Sequence, residues 1–252
     1  MERGFASRYE ELGAWHWWFR GRERILAAAL HRSLLAPPRR VLSVGCGPPR
    51  HLDWLQRIAD PRGLVVGLDL DATGVLRRSG LADRPAARRT MLVADLEVEL
   101  PLRSGAFDLV VALDVVEHLD DDVTALRRLG ALVAPGGLLA VTVPALPWLW
   151  GQQDVIAEHR RRYTAGGLRG ALRAAGLQPT HLGHFNTILL PPIAAVRLGR
   201  RLLPRRAPHS DFDGARPGLA NRVLEQVFAA ERHVVGRVSL PLGVSLLAMI
   251  RR

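Results

Sequence analysis

The sequence predicts an α/β fold, in which a doubly wound, mostly parallel sheet of seven strands carries helices on both faces. Short β-branched runs alternate with helical stretches from Arg40 onward, which is typical of parallel strands joined by crossover helices. Glycines follow the first run directly, as in loops that approach a ligand closely. With 252 residues, 48% of them hydrophobic, the chain can bury one substantial core.

The seven strands are predicted from β-forming runs that have turn-forming residues on both sides. In chain order they lie at 41–45, 64–69, 91–95, 107–114, 138–144, 177–185 and within the final stretch SLPLGVSLLAMI. A helix is predicted between the fourth and fifth strands, behind the capping aspartates 120–122 and before PGG. Its apolar positions recur at helical spacing: Leu119, Val123, Leu126, Leu129 and Val133.

Two helical additions are predicted around the core. The predicted division is a helical lid at 1–39, a ligand-binding core at 40–186 and 237–252, and a helical insertion at 187–236. The insertion mixes apolar and arginine positions, so it either caps the substrate or lies against a membrane surface. A spanning helix is not expected, because Arg197 and Arg237 interrupt the apolar runs.

The composition bears on compartment and partners. Cys46 is the single cysteine, so no internal disulfide can form and a reducing compartment is expected. The first 20 residues carry acids and lack the apolar segment of a secretory signal, which favours a cytoplasmic location, with peripheral contact at the inner membrane face left open. The formal net charge is +11, and every lysine or arginine position is an arginine. This positive charge is compatible with binding to acidic substrates, anionic membranes or nucleic acid.

A glycine loop and two acids predict a nucleoside site. Gly45 and Gly47 follow the first strand, and Asp69 ends the second, where an acid can accept both hydroxyls of a ribose. Asp95 ends the third strand, within reach of an adenine amino group. A dinucleotide fits poorly, because prolines stand where a G-x-G-x-x-G loop would continue.

Five segments in succession resemble the motifs of class I S-adenosylmethionine-dependent methyltransferases, which have a Rossmann-like fold. The segments cover roughly residues 40–145: VLSVGCGPP, VVGLDLD, VADLEVELP, FDLVVALDVVEHLDD and VAPGGLLAVTVP. The resemblance implies that S-adenosylmethionine is the cofactor and that its contacts are Gly45, Cys46, Gly47, Asp69, Leu70, Asp95, Leu96, Leu113 and Asp114.

Within that set, the two glycines would approach the methionine part, Asp69 would hold the ribose and Asp95 with Leu96 the adenine. Two positions depart from the family pattern. Ser43 stands where an acid usually orients the cofactor's amino group, and Pro49 stands where a third glycine is usual. Both departures put the affinity for the cofactor in question more than its identity.

The N-terminal segment YEELGAWHWWFRGRERIL is similar to one that precedes this domain in many bacterial members. Trp15, Trp18 and Phe19 are candidates for closing over the cofactor, and Arg20 for pairing with its carboxylate in a bidentate way. An aromatic patch on a docking helix is the alternative interpretation.

A segment after the fifth strand supplies the catalytic candidates. The pattern E-H-x-x-x-[FY]-[ST] at 158–164 resembles a loop that faces the acceptor in relatives. We predict that His159 is the general base or orients the acceptor, and that Tyr163 and one arginine of 160–162 bind it. The alternative is that His159 caps a helix starting near Thr164 and that the arginines are solvated.

A metal site is the less favoured interpretation of DVVEHL. Asp114, Glu117 and His118 loosely match the E-x-x-E-H triplet by which some quinone and small-RNA O-methyltransferases hold a divalent metal. The E-H pair also occurs in this family without metal, and an aspartate replaces the first glutamate. The prediction is therefore that no metal is bound.

The leading functional hypothesis is a methyltransferase for a small-molecule acceptor, apolar or lipid-linked given the hydrophobic insertion. RNA methylation is a second hypothesis from charge, weakened because the arginines are dispersed and no RNA-binding module is evident, so a nucleic-acid partner is not expected. A third hypothesis, supported by Ser43 and Pro49, is a cofactor-binding subunit without catalysis.

Overall fold

A computed structural model describes residues 11–47, 49–70, 88–202, 210–212 and 214–252. The first ten residues of the predicted lid, and 203–209 and 213 of the predicted insertion, lie outside the described residues. Among the described residues, a helical segment at 11–15 precedes seven helices: α1 (Trp17–Ser33), α2 (Asp53–Ile58), α3 (Asp122–Leu132), α4 (Gln152–Ile156), α5 (Ala165–Ala174), α6 (Leu190–Leu202) and α7 (Leu219–Ala229).

One seven-stranded sheet forms the centre, in the order β3-β2-β1-β4-β5-β7-β6. Its strands are β1 (Arg40–Val44), β2 (Leu64–Asp69), β3 (Arg88–Val93), β4 (Phe107–Leu113), β5 (Val133–Pro144), β6 (His181–Phe185) and β7 (Ser245–Arg251). The order reverses between β1 and β4, where a doubly wound sheet opens a crevice for ligands at the carboxyl ends of its strands.

The sheet is mixed, which corrects the prediction in one respect. Strands β1 to β5 pair in parallel, whereas β7 runs antiparallel to both β5 and β6. The segment between β6 and β7 returns the chain to the edge where β6 ends, so the last strand starts at that edge and runs back across the sheet. The α/β class and the seven strands are confirmed.

Three strands begin at residues clearly different from the predicted ones: β6 begins at His181 rather than at 177, whereas β3 and β5 begin earlier than predicted. Strand β3 begins at Arg88 because parallel pairing with β2 starts at Leu64↔Arg88, although arginines do not signal a strand. Strand β5 begins at Val133, since a register irregularity beside Phe107 and Leu109 keeps the PGG segment in the strand. In both cases the neighbouring strand decides the boundary.

Hydrophobic clusters cover both faces of the sheet. One cluster packs α3 and α5 against the sheet through side chains such as Leu126 and Leu168. The other packs α1, α2 and α7 on the opposite face, with Phe228 of α7 fully buried. In the part of the chain that the structure describes, no helix has both the length and the apolarity needed to span a bilayer.

The N-terminal helix and the predicted insertion pack together. Asn221 of α7 accepts a hydrogen bond from the backbone N–H of Trp17 at 2.9 Å and donates one to the carbonyl of Trp15 at 2.7 Å. The side chain of His16 caps α1 by accepting from the N–H of Trp18 at 3.2 Å. These contacts position the aromatic start of α1 over the crevice.

Candidate functional site

A cavity of about 1190 Å³ lies at the carboxyl ends of the central strands. Of the residues predicted as cofactor contacts or catalysts, it is lined by Gly45, Gly47, Asp69, Leu70, Asp95, Leu96, Leu113, Asp114 and His159. The structure therefore brings together nine predicted residues that are spread over more than 100 positions of the chain.

The loop after β1 has the backbone geometry that glycine permits. Gly45 and Gly47 have φ of +58° and +57°, in the left-handed region that favours glycine. A Cβ atom on Gly45 would lie 2.5 Å from Cγ2 of Val115. The N–H of Gly47 donates to Oδ2 of Asp69 at 2.7 Å, so the loop and the end of β2 form one unit.

The loop after β1 is flanked by the end of β3, which lies beyond β2, and by the end of β4, which lies on the other side of β1. Asp95 follows β3 and accepts from the N–H of Glu97 at 2.8 Å, and Leu96 beside it is buried. Asp114 follows β4 with a φ of +57° and accepts from the Thr142 hydroxyl at 3.0 Å. A non-glycine residue in this region is strained, and such residues concentrate at functional sites.

Of the two neighbouring arginines of α1, Arg22 lines the cavity and the predicted Arg20 does not. Arg20 is directed to α7, where its Nε lies 3.2 Å from Glu225, and it does not line the cavity. Arg22 lines the cavity, ion-pairs with Asp114 and lies 4.4 Å from the ring centre of Trp18.

Of the three aromatic residues predicted to close over the cofactor, two line the cavity and one does not. Trp18 and Phe19 line the cavity, and Phe19 stacks on His51 with ring centres 5.9 Å apart. Trp15 does not line it. Phe212 joins the group from the insertion, with its ring centre 5.7 Å from that of Phe19.

His159 is oriented by a buried carboxylate. Its Nδ1 lies 2.9 Å from Oδ1 of Asp154, which also accepts from Arg162 Nε at 2.8 Å. Arg197 of α6 pairs with the other oxygen at 3.3 Å. Burial alone would raise the pKa of Asp154, but the His159 hydrogen bond and the two guanidiniums outweigh it and lower the pKa to about 2.

An ionised Asp154 can only accept, so Nδ1 of His159 carries the hydrogen, and in the neutral imidazole Nε2 is the nitrogen with the lone pair. Glu117 faces that nitrogen, with Oε1 3.9 Å from Nε2. The Glu117 carboxyl is fully buried and neither oxygen has a hydrogen-bond partner. Burial, and next the Asp114 carboxylate, raise the pKa of Glu117 well above the ordinary value, which favours the protonated carboxyl.

Ligand atoms of Glu117, His118 and His159 lie within 4.8 Å of one another, a set that could hold a metal ion. The set differs from the triplet considered in the sequence, because Asp114 is occupied by Arg22 and Thr142. Two ligands of one zinc-like ion at bond lengths of about 2.0–2.2 Å lie no more than about 4.4 Å apart. Oε1 of Glu117 and Nε2 of His159, 3.9 Å apart, already lie within this limit.

Besides Arg20 and Trp15, two further predicted residues lie outside the lining of the large cavity. The Tyr163 hydroxyl donates to Asp122 at 2.6 Å in the protein interior, and burial raises the pKa of that phenol. Cys46 is buried against β2, where its N–H donates to the Leu68 carbonyl at 3.1 Å. Both side chains are buried next to the site and do not line the large cavity.

Four residues of the site were not predicted from the sequence: Arg22, Glu23, Asp154 and Asn186. Glu23 of α1 shares a small cavity with Ser43 and Gly45, close to where the family places an acid. Asn186 lines the large cavity next to the insertion. A buried acid before E-H and an asparagine after a strand are the signals that could have indicated the last two.

Comparison with known proteins gives the family. The pattern of a methyltransferase domain matches residues 18–182. The chain belongs to this methyltransferase family. The match runs from Trp18 to Leu182 and so includes the glycine loop, both acids and His159, and the family implies use of S-adenosylmethionine.

Individual relatives of the chain agree on the family, and one of the two described next is named after an acceptor. It is 40% identical to an uncharacterised methyltransferase of Mycobacterium tuberculosis over 111 residues, covering 43% of this chain and 52% of the relative. It is 34% identical to a trans-aconitate 2-methyltransferase of Methylobacterium radiotolerans, covering 73% and 60%. The chain thus spans about half to three fifths of these relatives.

Solved structures confirm the fold of this methyltransferase. An S-adenosylmethionine-dependent methyltransferase from Mesorhizobium loti superposes with a TM-score of 0.57 at 19% identity, covering 89% of this chain and 96% of that one. At this level of identity the similarity concerns the fold alone.

Proposed function

We propose that the protein transfers a methyl group from S-adenosylmethionine to a small-molecule acceptor with an apolar body. The observation that carries the proposal is that one cavity of about 1190 Å³ contains the predicted cofactor residues, His159 and an apolar wall. Its volume exceeds the range of about 300–1000 Å³ that a single small ligand usually occupies, so a cofactor and an acceptor can share it.

The residues at the glycine loop suit the cofactor. Asp69 is placed to accept from ribose hydroxyls, and Gly45 lets the loop after β1 pass Val115 more closely than a residue with a Cβ could. We assign the cofactor's carboxylate to Arg22 rather than Arg20, since only Arg22 lines the cavity. Glu23 is the candidate for the acid that Ser43 lacks. When bound, S-adenosylmethionine supplies a methyl group activated by a positively charged sulfur.

The opposite half of the cavity suits an apolar acceptor. Leu189, Ile193 and Val196 line it from the segment around α6. The α6 guanidinium of Arg197 is already engaged by Asp154 and Asp211. A neutral, largely apolar molecule therefore matches this half better than a polyanion, which argues for a small molecule over RNA.

His159 can take the acceptor's proton. Nε2 faces the cavity with its lone pair, and the imidazolium that forms is stabilised by the Asp154 carboxylate at 2.9 Å. Neutral Glu117 can donate to the same acceptor atom, because an oxygen about 2.8 Å from each would fit between groups 3.9 Å apart. The rest of the rate enhancement comes from aligning the acceptor atom with the methyl group and from excluding water.

The proposal is tested by S-adenosylhomocysteine binding and methyl transfer. We expect micromolar binding by calorimetry and transfer of labelled methyl from S-adenosylmethionine to lipid or small-molecule fractions of a cell extract. His159→Ala should lower turnover by about 10²- to 10⁴-fold with binding unchanged. Absence of binding sinks the enzymatic proposal, and label in the RNA fraction alone sinks the acceptor class.

The same assay decides the metal alternative. With His159 as a base, EDTA leaves turnover unchanged. Loss of turnover with EDTA, restored by Mg²⁺ or Zn²⁺ and accompanied by weaker metal binding in Glu117→Gln, would instead assign Glu117, His118 and His159 to a metal.

A further inference from the structure

A buried asparagine lines the acceptor half of the cavity in an uncommon backbone conformation. Asn186 follows β6 directly, has a φ of +59° and is fully buried. Asparagine tolerates the left-handed region better than most residues, but glycine tolerates it best. Backbone geometry alone therefore does not account for an amide side chain at this position.

The backbone around Asn186 is held rigidly by one buried acid. The Glu231 carboxylate accepts from the N–H groups of Asn186 at 2.6 Å, Thr187 at 2.7 Å and Ile188 at 2.8 Å. The Asn186 carbonyl accepts from the N–H of Val244 at 3.3 Å. Since the main chain is hydrogen-bonded on both sides, the position of Cα and the direction of the Cα–Cβ bond of Asn186 are held as well.

The Asn186 amide itself makes no hydrogen bond, although it can donate and accept. Neither Nδ2 nor Oδ1 has a partner, and both atoms are buried. A buried polar group without a partner destabilises the folded state, and such groups in native proteins are rare outside functional sites. In the same cavity, the Glu117 carboxyl is also without partners.

The surroundings restrict which group can satisfy the amide. Leu189 and Ile193 beside it are apolar, and Arg197 is engaged by two aspartates. A carboxylate would set lone pairs against Oδ1, and an ammonium would leave Nδ2 unmatched. A neutral group with a donor and an acceptor side by side matches both atoms.

We infer that Asn186 determines acceptor specificity by pairing with an amide-type group, open-chain or a heterocyclic lactam, on the apolar acceptor. The inference rests on the proposed function, because the acceptor half of the cavity has this role only in a methyltransferase. The acceptor would then be anchored at two points, with its methylated atom at His159 and its amide-type group at Asn186.

Asn186→Gly tests the role by separating stability from turnover. Glycine suits the backbone and removes two unsatisfied atoms, so the Tm should be unchanged or higher and S-adenosylhomocysteine affinity unchanged. Transfer of labelled methyl to the extract acceptor should fall by about 10- to 100-fold. Asn221→Ala is the matched control, since its buried amide is bonded to Trp17 and Trp15, and its Tm should fall.

A second measurement does not depend on the acceptor. In the ¹⁵N-labelled protein with S-adenosylhomocysteine, 2-pyridone should shift the Asn186 side-chain NH₂ signals, identified by their loss in Asn186→Gly, whereas toluene should not. An unshifted signal with 2-pyridone, a lower Tm in Asn186→Gly, or unchanged methyl transfer in that variant overturns the inference. Failure to bind S-adenosylhomocysteine counts against the proposed function instead.

Discussion

Arg20 and Arg22 show how much depends on the direction of one side chain. They lie two positions apart on α1, so they point about 200° apart around the helix axis. Arg20 reaches Glu225 of α7, and Arg22 reaches Asp114 at the end of β4. The sequence predicts that an arginine of this segment faces the cavity, but it does not say which one.

Replacing each arginine by methionine tests this assignment. Arg22→Met should weaken S-adenosylhomocysteine binding by about 10- to 100-fold, because a charge-assisted bond to the carboxylate is lost. Arg20→Met is the matched control and should change the affinity by less than about threefold. Calorimetry measures both, and the reverse ranking would return the role to Arg20.

Asp154 connects the catalytic candidate to the insertion. Its two oxygens bind His159, Arg162 and Arg197, and Oδ2 also accepts from the N–H of Gly151 at 2.8 Å. Its pKa of about 2 lies below the ordinary 3.8. The ionised carboxylate therefore contributes stability that is fully present above pH 3.8 and is lost as the pH falls through about 2.

Asp154→Asn should remove this pH-dependent contribution, which amounts to about 2 kcal/mol. In urea unfolding, the stability difference between the wild-type protein and the variant should shrink as the pH falls from 5 towards 2. At neutral pH the variant should also lose turnover, because an amide does not fix the His159 tautomer. A pH-independent difference would contradict the low pKa.

At the scale of elements, the loop after β1 is defined by its contact with the segment after β4. Gly45 approaches Val115 so closely that a Cβ would lie 2.5 Å from Cγ2. The two loops end neighbouring parallel strands, which brings them to the same edge. The family's third glycine is absent, but the positive φ angles occur at the two glycines that remain.

Gly45→Ala should therefore destabilise the protein by about 1–3 kcal/mol and weaken cofactor binding, because it adds both a clash and backbone strain. Gly170→Ala, in α5 with no atom within 4 Å of the added Cβ, should leave stability unchanged or raise it by up to about 1 kcal/mol. Chemical denaturation compares the two, and equal effects would show that the loop tolerates a side chain.

At the scale of the whole molecule, the cavity is enclosed by parts from both ends of the chain. The N-terminal helix α1 packs against α7, and Phe228 of α7 is fully buried in the hydrophobic cluster that includes residues of α1. Trp18 of α1 and Phe212 of the insertion both line the cavity. Ligand binding and global stability should therefore be linked.

S-adenosylhomocysteine at about 100 times its Kd should stabilise the fold by about 2.7 kcal/mol, which raises the Tm by about 5–10 °C for a chain of this size. Asp69→Ala should abolish the shift, because the ribose hydroxyls lose their acceptor. Glu99→Ala, an exposed acid outside the cavity, should keep it. A shift that survives in Asp69→Ala would place the nucleoside elsewhere.

By itself, the sequence determined the sheet class, the glycine loop and the acids at the strand ends, because these depend on short-range patterns and on the rule that parallel strands end at one edge. Only the tertiary structure decided the antiparallel β7, the choice of Arg22, the interior position of Tyr163 and the approach of His159 to Glu117, 42 positions earlier. Asn186 belongs with these, since its significance is that its folded surroundings offer the amide no partner. Side-chain direction and long-range partners depend on how elements pack, and no local pattern encodes that packing.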